Sequence, residues 1–239
     1  AAFDNLYLPR LHRVGFVGPD VGSQRNQESS PGGYVMDSRP GFYDNVLVLD
    51  FKSLYPSIIQ TFLIDPAGLA DPGDNPVPGF LNATFSRDQH ILPKIIKSLW
   101  DERDMAKIAK NAPLSQAIKI IMNSFYGVLG SSGCRFYDPR LASSITRRGH
   151  EIIQRSKDWI EKAGYEVIYG DTDSVFVLVG SGTDEAGCEE IGRQLASGLN
   201  QWWTEYLRER YALPCHLEIE FETHYLRFLM PTIRGSETG

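Results

Sequence analysis

Apolar residues in this chain gather into short runs and helical stripes, separated by stretches rich in turn formers. "NVLVLDF", residues 45–51, is a continuous apolar run carrying Asp50 near its end and reads as a buried strand. "SLYPSIIQTFL" follows it as a helix, and "DPAGLADPGDNPVPG", residues 65–79, reads as a Pro/Gly loop. Two helical patterns then cover residues 93–110 and 114–129 with only "NAP" between them, a connection so short that the helices must run antiparallel. "DPRLASSITRRGHEIIQRSKDWIEKAGY" reads as a long helix ending near Gly164, and "EVIYGDTDSVFVLV" as a β-hairpin. "EEIGRQLASGLNQWWTEYLRERY" gives another helix, and "HLEIEFE" alternates apolar and acidic residues as a half-buried strand does. Before all of these, residues 18–45 read as loop with a short extended piece around Tyr34–Met36.

Composition narrows the class. A chain of 239 residues, 42% hydrophobic, is long enough to bury a sizeable core as one large domain or two packed subdomains. It has no apolar run of about 18 residues, and "AAFDNLYLPR" lacks the basic and apolar regions of a signal peptide, so the cytoplasm is the expected compartment. Cys134, Cys188 and Cys215 are scattered and form no C-x-x-C pair, which indicates free thiols rather than a disulfide framework or a zinc site. The formal net charge of -6 gives no overall basic signature, so any phosphate binding must be local.

"YGDTDS" places Asp171 and Asp173 two residues apart at the hairpin turn. Two carboxylates about 5 Å apart repel by roughly 3 kcal/mol at an effective dielectric of about 20, so a fold that holds them together supplies a cation or a shared proton. If the strand ending at Asp50 is a neighbour, three acids converge on one sheet edge, a hard oxygen set that suits Mg²⁺ and leaves positions for substrate phosphates. Asp, Gly and Thr are also ordinary turn residues, and "GDTD" alone reads more readily as turn chemistry.

The helix pair adds a second set of groups. Ile118, Ile121, Met122, Phe125 and Leu129 mark a packing face, while Lys119, Asn123 and Tyr126 recur at i, i+4 and i+7 on another. Arg103 and Lys107 are i, i+4 on the preceding helix, and the reversal near Ala112 sets them roughly level with Asn123 and Lys119. Together they form a donor set suited to a triphosphate, with a solvated charged face as the plain alternative.

"DFKSLYPSII" at 50–59, "KIIMNSFYGVLG" at 119–130 and "YGDTDS" at 169–174 resemble, in order, the A, B and C motifs of family B DNA polymerases. The flanking "PGGYVMDSRPG", "DPRLASSITRRGHEII" and "FLMPTIRG" look most like the bacterial DNA polymerase II branch. The resemblance implies an α+β fold, an antiparallel palm sheet backed by helices with a two-helix antiparallel fingers hairpin. Its implied layout puts the N-terminal segment and first palm part at 1–92, fingers at 93–129 and second palm part at 130–239. It implies that Asp50 and Asp173, with the carbonyl of Phe51, hold two Mg²⁺ ions, which Mn²⁺ can replace, and that Asp171 supports them. Ser53, Leu54 and Tyr55 would meet a dNTP triphosphate through backbone N–H groups at a helix start, and Arg103, Lys107, Lys119 and Asn123 would grip its phosphates. Tyr55 matches the steric gate against a 2′-hydroxyl, and Tyr126 and Gly127 would face the nascent base pair. Primer–template DNA and dNTP are the implied partners, with exonuclease and thumb regions of the same polypeptide and a sliding clamp as a further candidate.

The sequence departs from that pattern in places. Ser30 of "SPGG" stands where the family often has Tyr in a Y-x-G-G element, and "RGSETG" ends the chain where the family continues into a basic segment and thumb. The expectation is therefore an excised piece, poorly active alone. Glu218, Glu220 and Glu222 read as a solvated strand face, His150 and His216 have no partner at ligand spacing, and Trp202 and Trp203 read as packing residues. A nucleotidyl cyclase and a non-catalytic nucleic-acid binding module are the alternatives from other classes. The fingers hairpin and Tyr55 argue against the first, and no aromatic platform on a basic groove is identified for the second.

Overall fold

A computed structural model describes residues 2–22, 32–37 and 39–231; Ser30 of "SPGG" and the "RGSETG" terminus fall outside them. The chain divides into two compact units, residues 1–32 with 53–148 and residues 33–52 with 149–239. In chain order the elements are α1 (Ala2–Arg13), β1 (Gly41–Phe51), α2 (Leu54–Thr61), α3 (Pro66–Ala70), β2 (Val77–Pro78), β3 (Thr84–Phe85), α4 (Leu92–Ile108), α5 (Ala112–Leu129), α6 (Pro139–Lys162), β4 (Glu166–Asp171), β5 (Ser174–Leu178), α7 (Glu185–Tyr211) and β6 (Ile219–Met230). The unit boundary falls inside α6.

The second unit is built on a four-stranded antiparallel sheet in the order β4-β5-β1-β6. Val46 through Leu49 are all buried, which is why the run is continuously apolar: β1 is a central strand covered on both faces. β5 alternates buried and half-buried positions. Helix α7 packs on β1 and β6, and Trp203, fully buried, donates its Nε1–H to Ser156 Oγ of α6 at 3.0 Å. Asp184 caps α7 by accepting from the Gly187 N–H at 2.9 Å.

In the first unit α4 and α5 form the expected antiparallel pair, with Asn111 capping α5 through the Leu114 N–H and Pro113 in its first turn. Ile118, Met122, Phe125 and Leu129 are buried, whereas Ile121 is exposed, so the packing stripe is one residue narrower than the sequence pattern suggests. Phe3 and Tyr7 of α1 stack at 5.2 Å and meet Phe125 and Phe136 edge on. Buried Asp65 accepts from the Tyr7 hydroxyl and from the N–H groups of Gly68 (2.9 Å) and Leu92 (2.6 Å), tying α1, α3 and the start of α4 together. Burial pushes its carboxyl above the usual range, and these donors oppose that shift.

Three local expectations change. Helix α1 was not foreseen from the pattern; it is short, contains Pro9, and is held by the aromatic cluster rather than by helix propensity. The 65–79 loop contains α3 and reaches β2, elements of five and two residues that are too short to show a period. The last strand is twelve residues long rather than the seven of "HLEIEFE", since as an edge strand it leaves Tyr225, Leu226 and Leu229 exposed and loses alternation. No helix among the described residues is long and apolar enough to cross a membrane. The three thiols are free, Cys134 and Cys188 buried and Cys215 half-buried.

Candidate active site

Strand pairing decides where the acids go. β1 and β5 are antiparallel neighbours with Asp50 opposite Ser174, and the Phe51 N–H donates to the Asp173 carbonyl at 2.8 Å. The backbones carrying Asp50 and Asp173 are therefore joined by the ladder itself, although 123 residues of sequence separate the two acids. All three acids, Asp50, Asp171 and Asp173, are half-buried.

The turn that holds them has unusual geometry. β4 and β5 are linked by Thr172 and Asp173 alone, and Thr172 has φ 44°, a left-handed conformation rarely adopted by a β-branched residue. The Asp173 N–H donates back to the Asp171 carbonyl at 2.5 Å, closing a ring of the γ-turn kind around Thr172. The Asp171 carboxylate is engaged within its own hairpin. It accepts from Thr172 Oγ1 at 3.0 Å and, at the long limit of 3.5 Å, from the Tyr169 hydroxyl. Burial first, and then the neighbouring Asp171 charge, push the Tyr169 hydroxyl up, which keeps it a neutral donor.

The backbones that carry the three acids adjoin through β1, β5 and the turn between β4 and β5. Among the described residues no grouping of three or more His, Cys, Asp or Glu side chains suited to a metal ion occurs. Asp171 is engaged by its own hairpin, and the donors that the resemblance names beside it are Asp50, Asp173 and the Phe51 carbonyl. Two carboxylates and a carbonyl, all hard oxygen donors, fit Mg²⁺, which keeps several waters and is bound through one or two carboxylates plus substrate phosphates.

Lys52, two residues beyond Asp50, binds Glu218 at 2.6 Å and Glu220 at 2.9 Å, and its N–H donates to the Glu218 carbonyl at 2.9 Å. These hydrogen bonds push its ammonium pKa up. Glu220 lies directly across the ladder from Asp50, so the strand face read as merely solvated is also an ion-paired neighbour of the candidate site. The signal for it was available: Asp50 and Lys52 share a face by the two-residue period of a strand. The pattern shows the extended Tyr34–Met36 piece but not its partner, which is the turn. Val35 bridges to Asp171, the Tyr34 carbonyl accepts from the Thr172 N–H at 2.7 Å, and the Met36 N–H donates to the Gly170 carbonyl at 2.9 Å. His150 lies with its ring 5.3 Å from that of Tyr34 and has no ligand role suggested by this contact.

The remaining candidates lie in the other unit. Ser53 caps α2 in a left-handed conformation, φ 46°, and gives no side-chain cap bond to the first turn, in which Leu54 and Tyr55 carry the first N–H groups. The rings of Tyr55 and Tyr126 are 4.7 Å apart, and Gly127 has open space where a Cβ would stand. On α4, Arg103 is half-buried and its Nε is buried without a hydrogen-bond partner among the described residues. Lys107 is exposed and paired with Asp104 at 3.0 Å. On α5, Lys119 is half-buried and Asn123 exposed.

Comparison with known proteins gives the following. The model of the family described as DNA polymerase family B matches residues 4–232. Over its whole length the chain is 58% identical to DNA polymerase II of Escherichia coli (strain K12), of which it covers 31%. It is 32% identical over 85% of its length to a DNA polymerase of Thermococcus gorgonarius, of which it covers 27%. Among solved structures, the family B DNA polymerase of the hyperthermophilic archaeon Pyrobaculum calidifontis matches 93% of this chain with a TM-score of 0.60 at 28% identity, and 29% of that chain is covered. The chain thus spans less than a third of the length of each of these relatives.

Proposed function

Because this chain belongs to DNA polymerase family B, we propose that it carries the catalytic core of a DNA-directed DNA polymerase serving replication or repair synthesis. The reaction is attack of a primer 3′-oxygen on the α-phosphate of a dNTP, with pyrophosphate leaving. The observation that carries this reading is the contact between the Phe51 N–H and the Asp173 carbonyl, which joins the end of β1, where Asp50 stands, to the turn that carries Asp173. Those two acids and the Phe51 carbonyl would hold two Mg²⁺ ions, or Mn²⁺ in their place. Bound there, the ions supply charge stabilisation to the attacking and leaving oxygens. Asp171 orients the turn through Thr172 and Tyr169 rather than acting as a principal ligand.

The first unit holds the nucleotide in this reading. The N–H groups of Leu54 and Tyr55 at the start of α2, behind Ser53, receive triphosphate oxygens, as helix N-termini do. Arg103, Lys107, Lys119 and Asn123 of α4 and α5 bind the phosphates; the Arg103 Nε, one of several buried side-chain donors without a partner among the described residues, supports this, since such a donor costs free energy until an acceptor arrives. Lys107 would exchange its Asp104 partner for phosphate. Tyr55 excludes a 2′-hydroxyl, and Tyr126 and Gly127 line the base pair. In this reading residues 1–92 hold the N-terminal segment and first palm part, 93–129 the fingers and 130–239 the second palm part, with primer–template DNA as the macromolecular partner, a sliding clamp as an accessory one, and the cytoplasm as the location.

Primer extension with Mg²⁺ tests this reading, comparing the 239-residue chain with a version carrying the further length of its relatives. The longer version is expected to extend primers robustly and the chain alone poorly. A longer version inactive with every divalent ion, or one that polymerises dNTP without needing a primer, would contradict it.

A further inference from the structure

The extended piece at Tyr34–Met36 lies against the turn bearing Asp171 and Asp173, and the contacts are unusually close. An ideal Cβ on Gly33 would stand 2.6 Å from Thr172 Oγ1 and 3.3–3.4 Å from Thr172 Cγ2 and Cβ. Gly33 does not have a positive φ, so the requirement for glycine there comes from proximity and not from backbone conformation. Gly170, at the other end of the same contact, would place a Cβ 2.8 Å from Met36 Sδ. Between these two glycines the strap is hydrogen-bonded to the turn at both the Thr172 N–H and the Gly170 carbonyl.

Thr172 is the centre of the arrangement. A β-branched residue at φ 44° persists only where its surroundings over-determine it. Here they do: its N–H is taken by Tyr34, its Oγ1 by Asp171, and the side chain is seated on Gly33. Because Asp173 follows directly, with its N–H bonded to Asp171 and its carbonyl to Phe51, any displacement of Thr172 is transmitted to the peptide that carries the Asp173 carboxylate.

We propose that Gly33–Met36 is a strap that clamps the Asp171–Asp173 turn in its metal-binding conformation, with Gly33 as the positioning residue and the Thr172 side chain as the group it must clear. The proposal rests on the reading of Asp50 and Asp173 as metal ligands. It makes Gly33 a part of the catalytic apparatus through its contact with the turn.

The test is Mn²⁺ binding to the full chain, followed by electron paramagnetic resonance, together with amide hydrogen exchange at Thr172 without metal. Gly33→Ala is expected to weaken Mn²⁺ binding by about tenfold or more, the usual size for loss of a group that orients a ligand, and to expose the Thr172 amide to rapid exchange. The double variant Gly33→Ala with Thr172→Gly removes both the clash and the strained threonine, and is expected to recover most of the affinity. Gly33→Ala binding Mn²⁺ like the wild type would overturn the strap. If Gly33→Ala does not fold, the double variant decides: a folded chain with restored affinity supports the strap, and failure to restore it overturns the strap. Asp173→Asn separates the two readings. Unchanged Mn²⁺ binding in that variant would remove the ligand assignment, whereas fast exchange at Thr172 in the wild-type chain would remove the strap.

Discussion

On the β4–β5 turn, backbone hydrogen bonds from β1 and from the Tyr34–Met36 strap fix the peptides that carry the acids, and even the Thr172 side chain is seated. On the α4–α5 hairpin, the candidate phosphate ligands are long side chains on a helix surface; Lys107 is exposed and engaged by a near neighbour, and Asn123 is exposed. The first arrangement is rigid and determined by register. The second is adjustable, and its side chains keep rotamer freedom that a ligand would have to remove. Metal coordination by few ligands needs placement within a few tenths of an ångström, while a triphosphate can be met by several cations, each supplying part of the affinity. The difference teaches that losses in the turn should be near total and losses in the hairpin graded.

The largest effect is therefore expected at Asp173. In a longer version active in primer extension, Asp173→Ala should lower kcat by about a thousandfold or more, since charge stabilisation at such a site is worth several kcal/mol; a fall of only a few-fold would erase the contrast with the hairpin. Arg103→Ala should lower kcat/KM for dNTP by about a hundredfold, as expected for a charge-assisted phosphate contact strengthened in the transition state, while leaving Mn²⁺ binding unchanged. Loss of Mn²⁺ binding in that variant would mean that the two regions do not divide the work as described. Tyr55→Ala should weaken discrimination against ribonucleotides by roughly tenfold or more, the range that a shape-based pocket reaches, with smaller change in dNTP turnover. Unchanged discrimination, measured by competing dNTP and rNTP, would withdraw the gate assignment.

Much of this contrast could be read before any coordinates. The run "VLVL" announced a central strand, the short "NAP" connection forced the helix pair, and "GDTD" between apolar segments announced a hairpin, because each is a local pattern with a local cause. The pairing of β1 with β5 was only a condition in the sequence argument, since antiparallel register between segments more than a hundred residues apart leaves no periodic trace. For the same reason the strap at Tyr34 and the Lys52–Glu218–Glu220 group stayed hidden, although their residues had been noticed or dismissed singly. Asp65 was hidden more deeply. A carboxylate before Pro66 in a Pro/Gly stretch reads as loop chemistry, yet it is buried and caps two helix starts. The ranking of the acids in the turn, Asp173 ahead of Asp171, followed from the resemblance, whereas the hydrogen bonds that occupy Asp171 within its hairpin are visible only in the structure.

The most direct measurement is a Mn²⁺ titration of the chain, followed by electron paramagnetic resonance, for Asp50→Ala, Asp173→Ala and Asp171→Asn. Loss of binding in the first two, with a weakening of about ten- to a hundredfold in the third as for an orienting group, is the result this account predicts. Binding that survives Asp50→Ala and Asp173→Ala, or that is abolished by Asp171→Asn alone, would contradict it.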